Sequence, residues 1–511
     1  MNLASMLAAS AARVPDKPAL VFRDRPISYA QLDAVVSQAS GAFAGARVGA
    51  GDRVAIIAGN VPEFVYALFG AWRAGAVAVP LNVMLTAPEL RSILADSGAR
   101  VLVCEMGYLP TVLEIRDRLP DLQTVMVVAG PPVPQGTVSF EEALGRAGPP
   151  PGVEASEDDL ALLQYTSGTT AEPKAAMLTH GNLLSNLEQT QQVPALSQAQ
   201  DDVVFLVLPM FHIYGLNVAL NLTLREGATG VLMERFHPAE ALEVIRRHGV
   251  TIVPGAPPMY YSWLELDDEV KQAFESVRLA VSGAAPLPAE VLESFRVRFA
   301  VTVWEGYGLT EASPSVSSNA AGPRAKAWSV GLPLPGVEVR LVDHDGGNVE
   351  DDDPGEILIR GPNVFRGYWH RDEETEAVFA DRWLRTGDVA YRDEDGYLFL
   401  VDRTKDLVIV SGFNVYPKEV EDALAAHPDV EEAAVIGVPD ERTGEAVKAF
   451  VVAREGAGVT PESLLEHAGR SLARFKIPRE IEIVPELPKH ATGKVLRRAL
   501  RGEEVLGGET P

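Results

Sequence analysis

The 511-residue chain contains one cysteine, Cys104, and only ten lysines beside 35 arginines. A single cysteine excludes an intrachain disulfide, which rules out a small disulfide-stabilised scaffold and suits a reducing compartment. With 45 basic against 71 acidic residues, the formal net charge is −26. Nucleic-acid-binding proteins usually carry the opposite charge, because Lys and Arg must neutralise phosphates. The sequence therefore excludes nucleic acid as a partner and disfavours a polybasic anchor on anionic lipid.

Long hydrophobic runs are also scarce. The N-terminal segment lacks a basic stretch before its apolar residues and predicts an amphipathic helix ending near Pro15, not a secretory signal. Residues 203–224 carry no formal charge, but their polar and helix-breaking residues predict a buried strand, a loop and a buried helix rather than a membrane span. We predict a cytoplasmic protein. A weak peripheral membrane contact and a homodimer are left open by the sequence.

The remaining pattern predicts an α/β fold. Hydrophobic residues make up 47% of the chain and charged residues 23%, which is typical of folded domains. Helical patterns alternate with short apolar strands over 1–150 and again over about 200–305, which predicts two α/β lobes. Gly, Pro and Asp turns between short strands predict a barrel-like subdomain at about 315–400. Beyond Asp402 the pattern becomes α+β and is long enough for a separate domain.

The strongest local motif is YTSGTTAEPK at 165–174, directly after an apolar strand. Its hydroxyls, its glycine and the closing Lys174 would offer flexible N–H groups and a cation to a phosphate chain. It is not a Walker loop, because Pro173 precedes the lysine and Ala175 follows it. A Ser/Thr-rich surface turn is the structural alternative.

Further motifs carry suitable groups in glycine-rich contexts. EGYGLTE at 305–311 follows the strand AVTVW, so Tyr307 could stack on a planar base and Glu311 could hold Mg²⁺ against phosphate oxygens. TGD at 386–388 and DRTKD at 402–406 offer carboxylate and guanidinium groups for ribose and phosphate. The lysines of these loops are compact point charges in a chain that otherwise favours arginine.

Seven motifs together resemble those of the adenylate-forming acyl-CoA synthetases, specifically the fatty-acid and aryl-acid CoA ligases. In chain order and spacing they are YTSGTTAEPK, LPMFHIYG (208–215), SGAAPL (282–287), EGYGLTEAS, WLRTGD (383–388), DRTKDLVIVSGFNVYPKEVE (402–421) and KHATGKVLRRAL (489–500). The resemblance implies an N-terminal AMP-binding domain over 1–401, a hinge at 402–406 and a small mobile C-terminal domain over 407–511. It also implies activation of a carboxylic acid by ATP to acyl-AMP, followed by transfer to coenzyme A.

The resemblance also assigns roles to matching positions. Glu311 and Thr166 would lie near Mg²⁺, Tyr307 would cover the adenine, Thr310 would reach the α-phosphate and Asp388 would accept from the ribose hydroxyls. The full implied nucleotide set is Thr166, Ser167, Gly168, Thr169, Thr170, Lys174, Gly283, Ala284, Ala285, Glu305, Gly306, Tyr307, Gly308, Thr310, Asp388 and Arg403.

Three positions match the catalytic and conformational machinery of the family. Lys494 resembles the lysine that touches the carboxylate and the α-phosphate, Lys405 resembles the hinge of a domain rotation, and His212 matches a gate between the acyl pocket and the thiol entrance. A buried structural histidine is the alternative for His212. The implied coenzyme A loop is Ser411, Gly412 and Phe413, and the implied acyl pocket is Phe211, Tyr214, Asn217, Val253, Pro254 and Gly255.

The chain departs from the family pattern in its phosphate loop, where Ala171 and Ala175 replace common glycines. If residue 171 needs a positive φ, alanine costs on the order of 1 kcal/mol there. The last motif lacks the usual Asn, but Lys494 is retained. The effect of these alanines on turnover does not follow from the sequence.

The predicted substrate is an apolar acid. His212 stands where amino-acid-activating relatives place an Asp, and 211–217, 253–261 and 306–314 contain no Arg or Lys for a second carboxylate. We predict a medium- or long-chain fatty acid, with an aryl acid of the coumarate or benzoate type as the alternative. Other readings are acyl transfer to a carrier protein, oxidation as in luciferases, a P-loop ATPase, and an inactive nucleotide-binding regulator.

Overall fold

The structure is a computed structural model that describes residues 2–130, 132–153, 155–166, 174–266, 272–285, 287–343, 345–403, 408–410, 413–415, 417–440, 444–454, 456–470, 472, 476–489 and 495–502. By its internal contacts the chain divides into two units. Unit 1 comprises Met1–Ala327, Gly331–Glu338 and Arg360–Leu384, and unit 2 comprises Trp328–Val330, Val339–Ile359 and Arg385–Pro511. The predicted domain boundary at 401 and hinge at 402–406 stay predictions. Strands and helices are numbered below in chain order.

A seven-stranded sheet forms the first lobe of unit 1, and it is parallel except for its last pair. Its spatial order is β7 (Val138–Ser139), β6 (Thr124–Val128), β5 (Val101–Glu105), β3 (Arg53–Ile57), β4 (Val77–Pro80), β8 (Leu160–Thr166) and β9 (Lys174–Thr179). Helix α2 (Tyr29–Gly45) precedes the first of these strands in the chain, and the helices between them are α3 (Pro62–Arg73), α4 (Ala87–Ser97), α5 (Leu109–Ile115) and α6 (Phe140–Gly145). Cys104 is fully buried in the aliphatic core of this lobe.

A nine-stranded sheet forms the second lobe of unit 1. Its order is β16 (Leu332–Pro333), β15 (Ser315–Ser318), β14 (Val303–Gly308), β13 (Leu279–Ser282), β12 (Ile252–Gly255), β10 (Val203–Leu206), β11 (Thr229–Leu232), β1 (Pro18–Phe22) and β2 (Arg25–Ser28). Two of these strands, β1 and β2, come from the first 150 residues, so the predicted assignment of that whole segment to one lobe is incomplete. The reason is that β1 pairs in parallel with β11.

The other helices of unit 1 are mostly short, and the first two in chain order begin with a side-chain capping box. They are α1 (Leu3–Arg13), α7 (His180–Gln191), a π-helical segment (Tyr214–Asn221) that continues into α8 (Leu222–Glu226), α9 (Pro238–His248), α10 (Pro257–Leu264), α11 (Ala289–Phe299) and α12 (Asp372–Val378). A capping box of Thr179 and Asn182 starts α7. Edge-to-face contacts among Tyr260, Trp263, Phe274 and Phe295 organise the core of the second lobe.

The segment 203–224 folds as the sequence predicts: a buried strand, a loop and a buried helix. The helical part begins as a π-helix, a form that is frequent at functional sites. Among the residues that the structure describes, no helix has the length and apolarity needed to cross a bilayer.

Unit 2 contains mainly short strands. The first group is β17 (Glu338–Val342), β18 (Gly355–Arg360), β20 (Trp383–Arg392) and β21 (Leu398–Arg403), most of whose residues belong to unit 2. The brief strand β19 (Phe379–Ala380) pairs with Trp383 and Leu384 at the start of β20, and all four of these residues belong to unit 1. The second group has the order β23 (Phe413–Val415), β22 (Val408–Val410), β25 (Gly444–Ala453) and β24 (Val430–Asp440), with β26 (Glu480–Ile483) parallel to β25. Its helices are α13 (Pro417–Ala425), α14 (Pro461–Ala468) and α15 (Arg497–Leu500).

The C-terminal α+β pattern is confirmed, because α13 and α14 bury Val420, Leu424 and Leu464 in one core with residues of β24, β25 and β26. The mixed α/β class, with two lobes followed by strand-rich and α+β parts, agrees with the predicted fold class.

Candidate active site

The predicted phosphate loop joins the two strands of a hairpin. Thr166 at the end of β8 pairs with Lys174 at the start of β9, and the Thr166 hydroxyl donates to the Lys174 carbonyl at 3.4 Å. The chain therefore returns to its starting point across 167–173. The loop members Ser167, Gly168, Thr169 and Thr170, together with Ala171, lie outside the described residues.

Ala175 is one of the two alanines that replace common glycines of the phosphate loop, and its backbone conformation can be described. It pairs with Tyr165 within the hairpin and is buried. It is not among the residues with positive φ, so its backbone is ordinary strand and needs no glycine. The departure at position 175 therefore carries no backbone strain.

Lys174 lies between a carboxylate and an aromatic ring. Its Nζ is 3.8 Å from Oε1 of Glu374 on α12 and 5.6 Å from the ring centroid of Tyr368. Its side chain is 21% exposed, so a phosphate arriving from solvent could reach the ammonium. A cation in this setting suits a phosphate oxygen.

Glu311 is held by the same tyrosine. The Tyr368 hydroxyl donates to Oε1 of Glu311 at 2.7 Å, and the Phe365 N–H donates to the Glu311 carbonyl at 2.8 Å. Burial and the negative charge of Glu311 raise the pKa of Tyr368 well above its usual range, so the hydroxyl stays a donor at physiological pH. The structure thus brings the predicted cation Lys174 and the predicted metal ligand Glu311 to two sides of one side chain.

Sequence reasoning did not identify Tyr368. It lies in the run Gly-Tyr-Trp-His at 367–370, which offers no charge or loop signature of its own. The available signal was an aromatic cluster immediately before the acidic helix α12. Its significance depends on an antiparallel bridge between Ala176 and Tyr368, a long-range pairing that local sequence patterns do not show.

The predicted nucleotide-binding residues of the motif EGYGLTE lie on β14 and in the turn after it. Gly306 and Tyr307 pair with Ser318 and Ser317 of β15, so the predicted motif begins inside a strand rather than after one. A Cβ on Gly308 would lie 2.4 Å from the Pro314 carbonyl oxygen, which explains the glycine by close backbone approach. Tyr307 is 9% exposed, and Thr310 with Glu311 opens a 3-10 turn, Thr310–Ala312.

Glu305, the first residue of this motif, has a buried carboxyl with a raised pKa. Its side chain is 6% exposed, Oε1 accepts from the Leu287 N–H at 3.0 Å, and Oε2 has no partner among the described residues. Burial raises the pKa of Glu305 to about 7. An acceptor that is buried and unpaired is available to a ligand donor such as an amino group.

The half-buried Tyr214 lies between residues of the predicted nucleotide and acyl sets. A Cβ on Gly283 would lie 3.2 Å from the ring of Tyr214, and the Tyr214 hydroxyl is 3.3 Å from the Val281 carbonyl that it donates to. Gly255 is in register with Ser282 across β12 and β13. The loop continues with Ala284, whose φ is +72°, and the half-buried Ala285.

The other predicted acyl residues occupy the same end of the second sheet. Val253, Pro254 and Gly255 form the buried end of β12, and the Phe211 carbonyl accepts from the Gln164 side chain at 2.9 Å. His212 Nδ1 accepts from the Tyr214 N–H at 3.3 Å. This contact orients the imidazole, and the gate role of His212 stays a prediction.

Asn217 lies deeper than a pocket-lining residue needs to. It is fully buried, and its amide donates to the Ser313 carbonyl at 2.7 Å and to the Leu183 carbonyl at 3.2 Å. Its contribution to the acyl pocket stays a prediction. The structure assigns it a role in holding the chain just after Glu311.

The remaining predicted residues belong to unit 2 or lie outside the described residues. Asp388 is 8% exposed, its N–H donates to the Thr386 hydroxyl at 3.1 Å, and its backbone pairs with Arg403. Phe413 pairs with Val410 through its backbone. Lys405, Ser411, Gly412 and Lys494 lie outside the described residues.

The chemistry of the donor set fits a magnesium ion that arrives with its nucleotide. Glu311 supplies a carboxylate and Thr166 a hydroxyl, and oxygen ligands are what Mg²⁺ prefers. Among the residues described, no group of three or more His, Cys, Asp or Glu side chains is arranged to hold a metal. One or two protein oxygens completed by phosphates and water is the arrangement common in enzymes that use MgATP.

Comparison with known proteins identifies the family. The profile described as AMP-binding enzyme matches residues 7–369, and that described as AMP-binding enzyme C-terminal domain matches residues 419–494. The chain belongs to the AMP-binding enzyme family. This AMP-binding enzyme is 38% identical over 542 aligned residues to a long-chain-fatty-acid–CoA ligase of Yersinia pestis, covering 100% of this chain and 95% of the relative.

Two further relatives extend the likeness. A feruloyl-CoA synthase of an Amycolatopsis species is 38% identical over 484 residues, covering 93% of each chain. The solved structure of o-succinylbenzoate coenzyme A synthetase from Bacillus subtilis, in complex with ATP and magnesium ion, superposes with a TM-score of 0.85 at 32% identity, covering 97% of this chain and 99% of that one. These findings confirm the resemblance: this AMP-binding enzyme is an AMP-forming acid–thiol ligase that uses ATP and coenzyme A.

Proposed function

We propose that this ligase activates medium- or long-chain fatty acids in the cytoplasm, through an acyl-adenylate and with Mg²⁺. The supporting observation is a relative named long-chain-fatty-acid–CoA ligase that aligns over the whole chain. The chemistry of the predicted acyl segments agrees, since 211–217, 253–261 and 306–314 contain no Arg or Lys. An apolar tail can be buried beside such residues without leaving a charge unpaired.

The proposed first half-reaction joins the carboxylate to the α-phosphate of ATP and expels pyrophosphate. Lys174 and the hydroxyls of 166–170 bind the β- and γ-phosphates, Tyr307 stacks on the adenine and Asp388 accepts from the ribose. Glu311 and Thr166 would hold the magnesium ion, which supplies charge neutralisation on the phosphates when bound. Lys494 stabilises the charge that develops between the carboxylate and the α-phosphate.

The proposed second half-reaction is attack of the pantetheine thiol on the acyl-adenylate carbonyl, which forms the thioester and expels AMP. We propose that rotation about Lys405 withdraws Lys494 and presents the loop Ser411, Gly412 and Phe413 to coenzyme A. His212 then controls access of the thiol to the acyl pocket. Positioning and charge neutralisation account for most of such chemistry.

Pyrophosphate release across a panel of fatty and aryl acids, with and without coenzyme A, tests this function. We expect acid-dependent AMP and pyrophosphate with fatty acids of intermediate to long chain, and acyl-CoA only when coenzyme A is present. ADP and phosphate as products would instead indicate an ATPase. No acid-dependent release with any member would sink the enzyme proposal.

Activation of an aryl acid is the second candidate, and the observation that favours it is the full-length similarity to a feruloyl-CoA synthase. The same panel decides between the two. If kcat/KM for ferulate or benzoate exceeds that for every fatty acid by tenfold or more, about 1.4 kcal/mol of transition-state preference, the fatty-acid assignment is wrong and the reaction class stands.

A further inference from the structure

Tyr368 touches both of the groups expected to meet the phosphates of MgATP, and neither its own sequence context nor the proposed mechanism gives it a role. We propose that Tyr368 is a positioning residue of the ATP half-reaction: its hydroxyl fixes the Glu311 carboxylate for the metal ion, and its ring supports the Lys174 ammonium. This inference rests on the proposed function, because it takes Glu311 and Lys174 as ligands of MgATP.

Both the backbone and the ring of Tyr368 are held by neighbouring residues. The backbone N–H of Tyr368 donates to the Thr375 hydroxyl at 2.9 Å, and the backbone forms an antiparallel bridge with Ala176. Its ring packs edge-on against Phe365 with centroids 4.9 Å apart and planes at 73°, and Phe365 is itself 3% exposed. A side chain supported in this way can orient its partners rather than follow them.

The segment that carries Tyr368 is tied to the phosphate hairpin. On either side of the bridge, the Arg366 N–H donates to the Met177 carbonyl at 3.0 Å and the Trp369 N–H to the Ala175 carbonyl at 2.9 Å. The strand β9 that begins with Lys174 therefore has Tyr368 pinned beside it. Backbone pairing therefore helps to fix the position of the Tyr368 ring beside the Lys174 ammonium.

The contact with Glu311 has the form of a hydrogen bond that orients a metal ligand. The Tyr368 hydroxyl donates to Oε1 of Glu311 at 2.7 Å, and a phenol is a hydrogen-bond donor at neutral pH. Partners of this kind orient metal-ligating carboxylates, and their loss typically lowers metal affinity. The ring face meanwhile offers the Lys174 ammonium an attractive surface that does not neutralise it.

Equilibrium binding separates positioning from packing. The probe is a non-hydrolysable ATP analogue, titrated calorimetrically into the full-length protein in Mg²⁺ and in EDTA, and the quantity of interest is the gain in affinity that Mg²⁺ confers. For Tyr368→Phe, which keeps the ring, we expect this gain to fall about 10-fold, with affinity in EDTA close to that of the wild type. For Tyr368→Leu, which also removes the ring, affinity in EDTA should fall a further roughly 2- to 5-fold.

Tyr165→Phe is the matched control. The Tyr165 hydroxyl also donates to a carboxylate, Asp96, at 2.6 Å, so its removal costs a comparable hydrogen bond on the same hairpin without touching Glu311. We expect its Mg²⁺-dependent gain to equal that of the wild type. Should Tyr165→Phe lose the gain to the same extent as Tyr368→Phe, the effect is general destabilisation and the proposal is overturned.

Two further variants keep the outcome decisive. Glu311→Gln should abolish the Mg²⁺-dependent gain, and a retained gain overturns the premise that Glu311 meets the metal. If Tyr368→Phe does not fold, Phe365→Leu, which removes the ring packed edge-on against Tyr368 and leaves the Glu311 side chain in place, should lower the Mg²⁺-dependent gain. A wild-type-like gain in Tyr368→Phe, or in Phe365→Leu when it must stand in, overturns the positioning role. Acid-dependent pyrophosphate release is unaffected by that result, and absence of the release defeats the proposed function instead.

Discussion

Glu305 carries a buried carboxyl with only one of its oxygens paired, and this gives the fold a specific pH dependence. Burial raises its pKa from 4.5 to about 7. Between those values the native state holds a proton that the unfolded chain has released, so stability falls as the pH rises through this window. The full change from this group is on the order of 3 kcal/mol.

Glu305→Gln should remove that dependence, because an amide cannot ionise. The quantity of interest is the free energy of unfolding of the variant minus that of the wild type. We expect this difference to rise by about 1 to 3 kcal/mol between pH 4.5 and pH 7, because the wild type loses stability there, and to level off above pH 7. Urea denaturation of both proteins across this range measures the difference, in which other titrating groups cancel. A difference that does not vary with pH would contradict the ionisation of Glu305 as its source.

At the scale of single residues, the sequence predicts the residues that bind phosphate or metal, but not the residues that position them. Glu311 and Lys174 stand in motifs with a clear phosphate-binding composition, so they could be predicted. Tyr368 could not, because its partners lie 57 residues away for Glu311 and further for Lys174. Its position depends on strand pairing that no local pattern encodes.

The turn that carries Thr310 and Glu311 is held by buried amides from other elements. Asn363 donates to the Ala312 carbonyl at 2.8 Å and accepts from the Gln189 side chain at 3.2 Å. Asn217 of the π-helical segment donates to the Ser313 carbonyl. These side chains replace the regular backbone pairing that a short 3-10 turn cannot supply for itself.

Asn363→Ala tests this support. It leaves the Ala312 carbonyl and the Gln189 amide without their partner in a fully buried site, and each such group costs about 1 to 3 kcal/mol. We expect the free energy of unfolding to drop by about 2 to 4 kcal/mol and the KM for ATP to rise, since the turn carries Glu311. Equilibrium denaturation and initial-rate kinetics report the two effects.

Asn182→Ala is the comparison for that variant. Asn182 donates to the carbonyls of Pro362 and Val364, each at 2.8 Å, so it holds the same stretch of chain without contacting the turn. It should lower stability by about 1 kcal/mol and leave the KM for ATP unchanged. Equal effects of both variants on ATP would show that the amide of Asn363 has no special relation to the turn.

At the scale of elements, the hydrophobic rhythm predicts most strands and helices well. The strand, loop and helix predicted over 203–224 are found, and the α+β pattern beyond 402 is confirmed. The placement of β1 and β2 in the second sheet could not be predicted, because the choice between two similar parallel edges depends on tertiary packing. The apolar pattern of β1 would suit either sheet.

For the whole molecule, the net charge of −26 contrasts with two polyanionic substrates, ATP and coenzyme A. Positively charged side chains are therefore needed where the phosphates bind. Lys174 in unit 1 is one such place, and the proposed role of Lys494 is a second, in the region matched by the C-terminal family profile. Dividing the cations between separate parts of the chain makes it possible for one to leave while the other stays.

This division leads to a prediction about the two half-reactions. Lys494→Ala should slow adenylation by at least ~10²-fold, comparable to the loss of a group that stabilises developing charge. Thioester formation from supplied acyl-AMP and coenzyme A should largely survive, because Lys494 is proposed to act only in the first step. Pyrophosphate release and acyl-CoA formation, measured separately on the same preparation, give the two rates. Lys489→Ala is the control, because it removes a nearby surface lysine that is paired with Glu432. Equal losses in both half-reactions would mean that Lys494 serves both steps, and the proposed rotation about Lys405 would then be wrong.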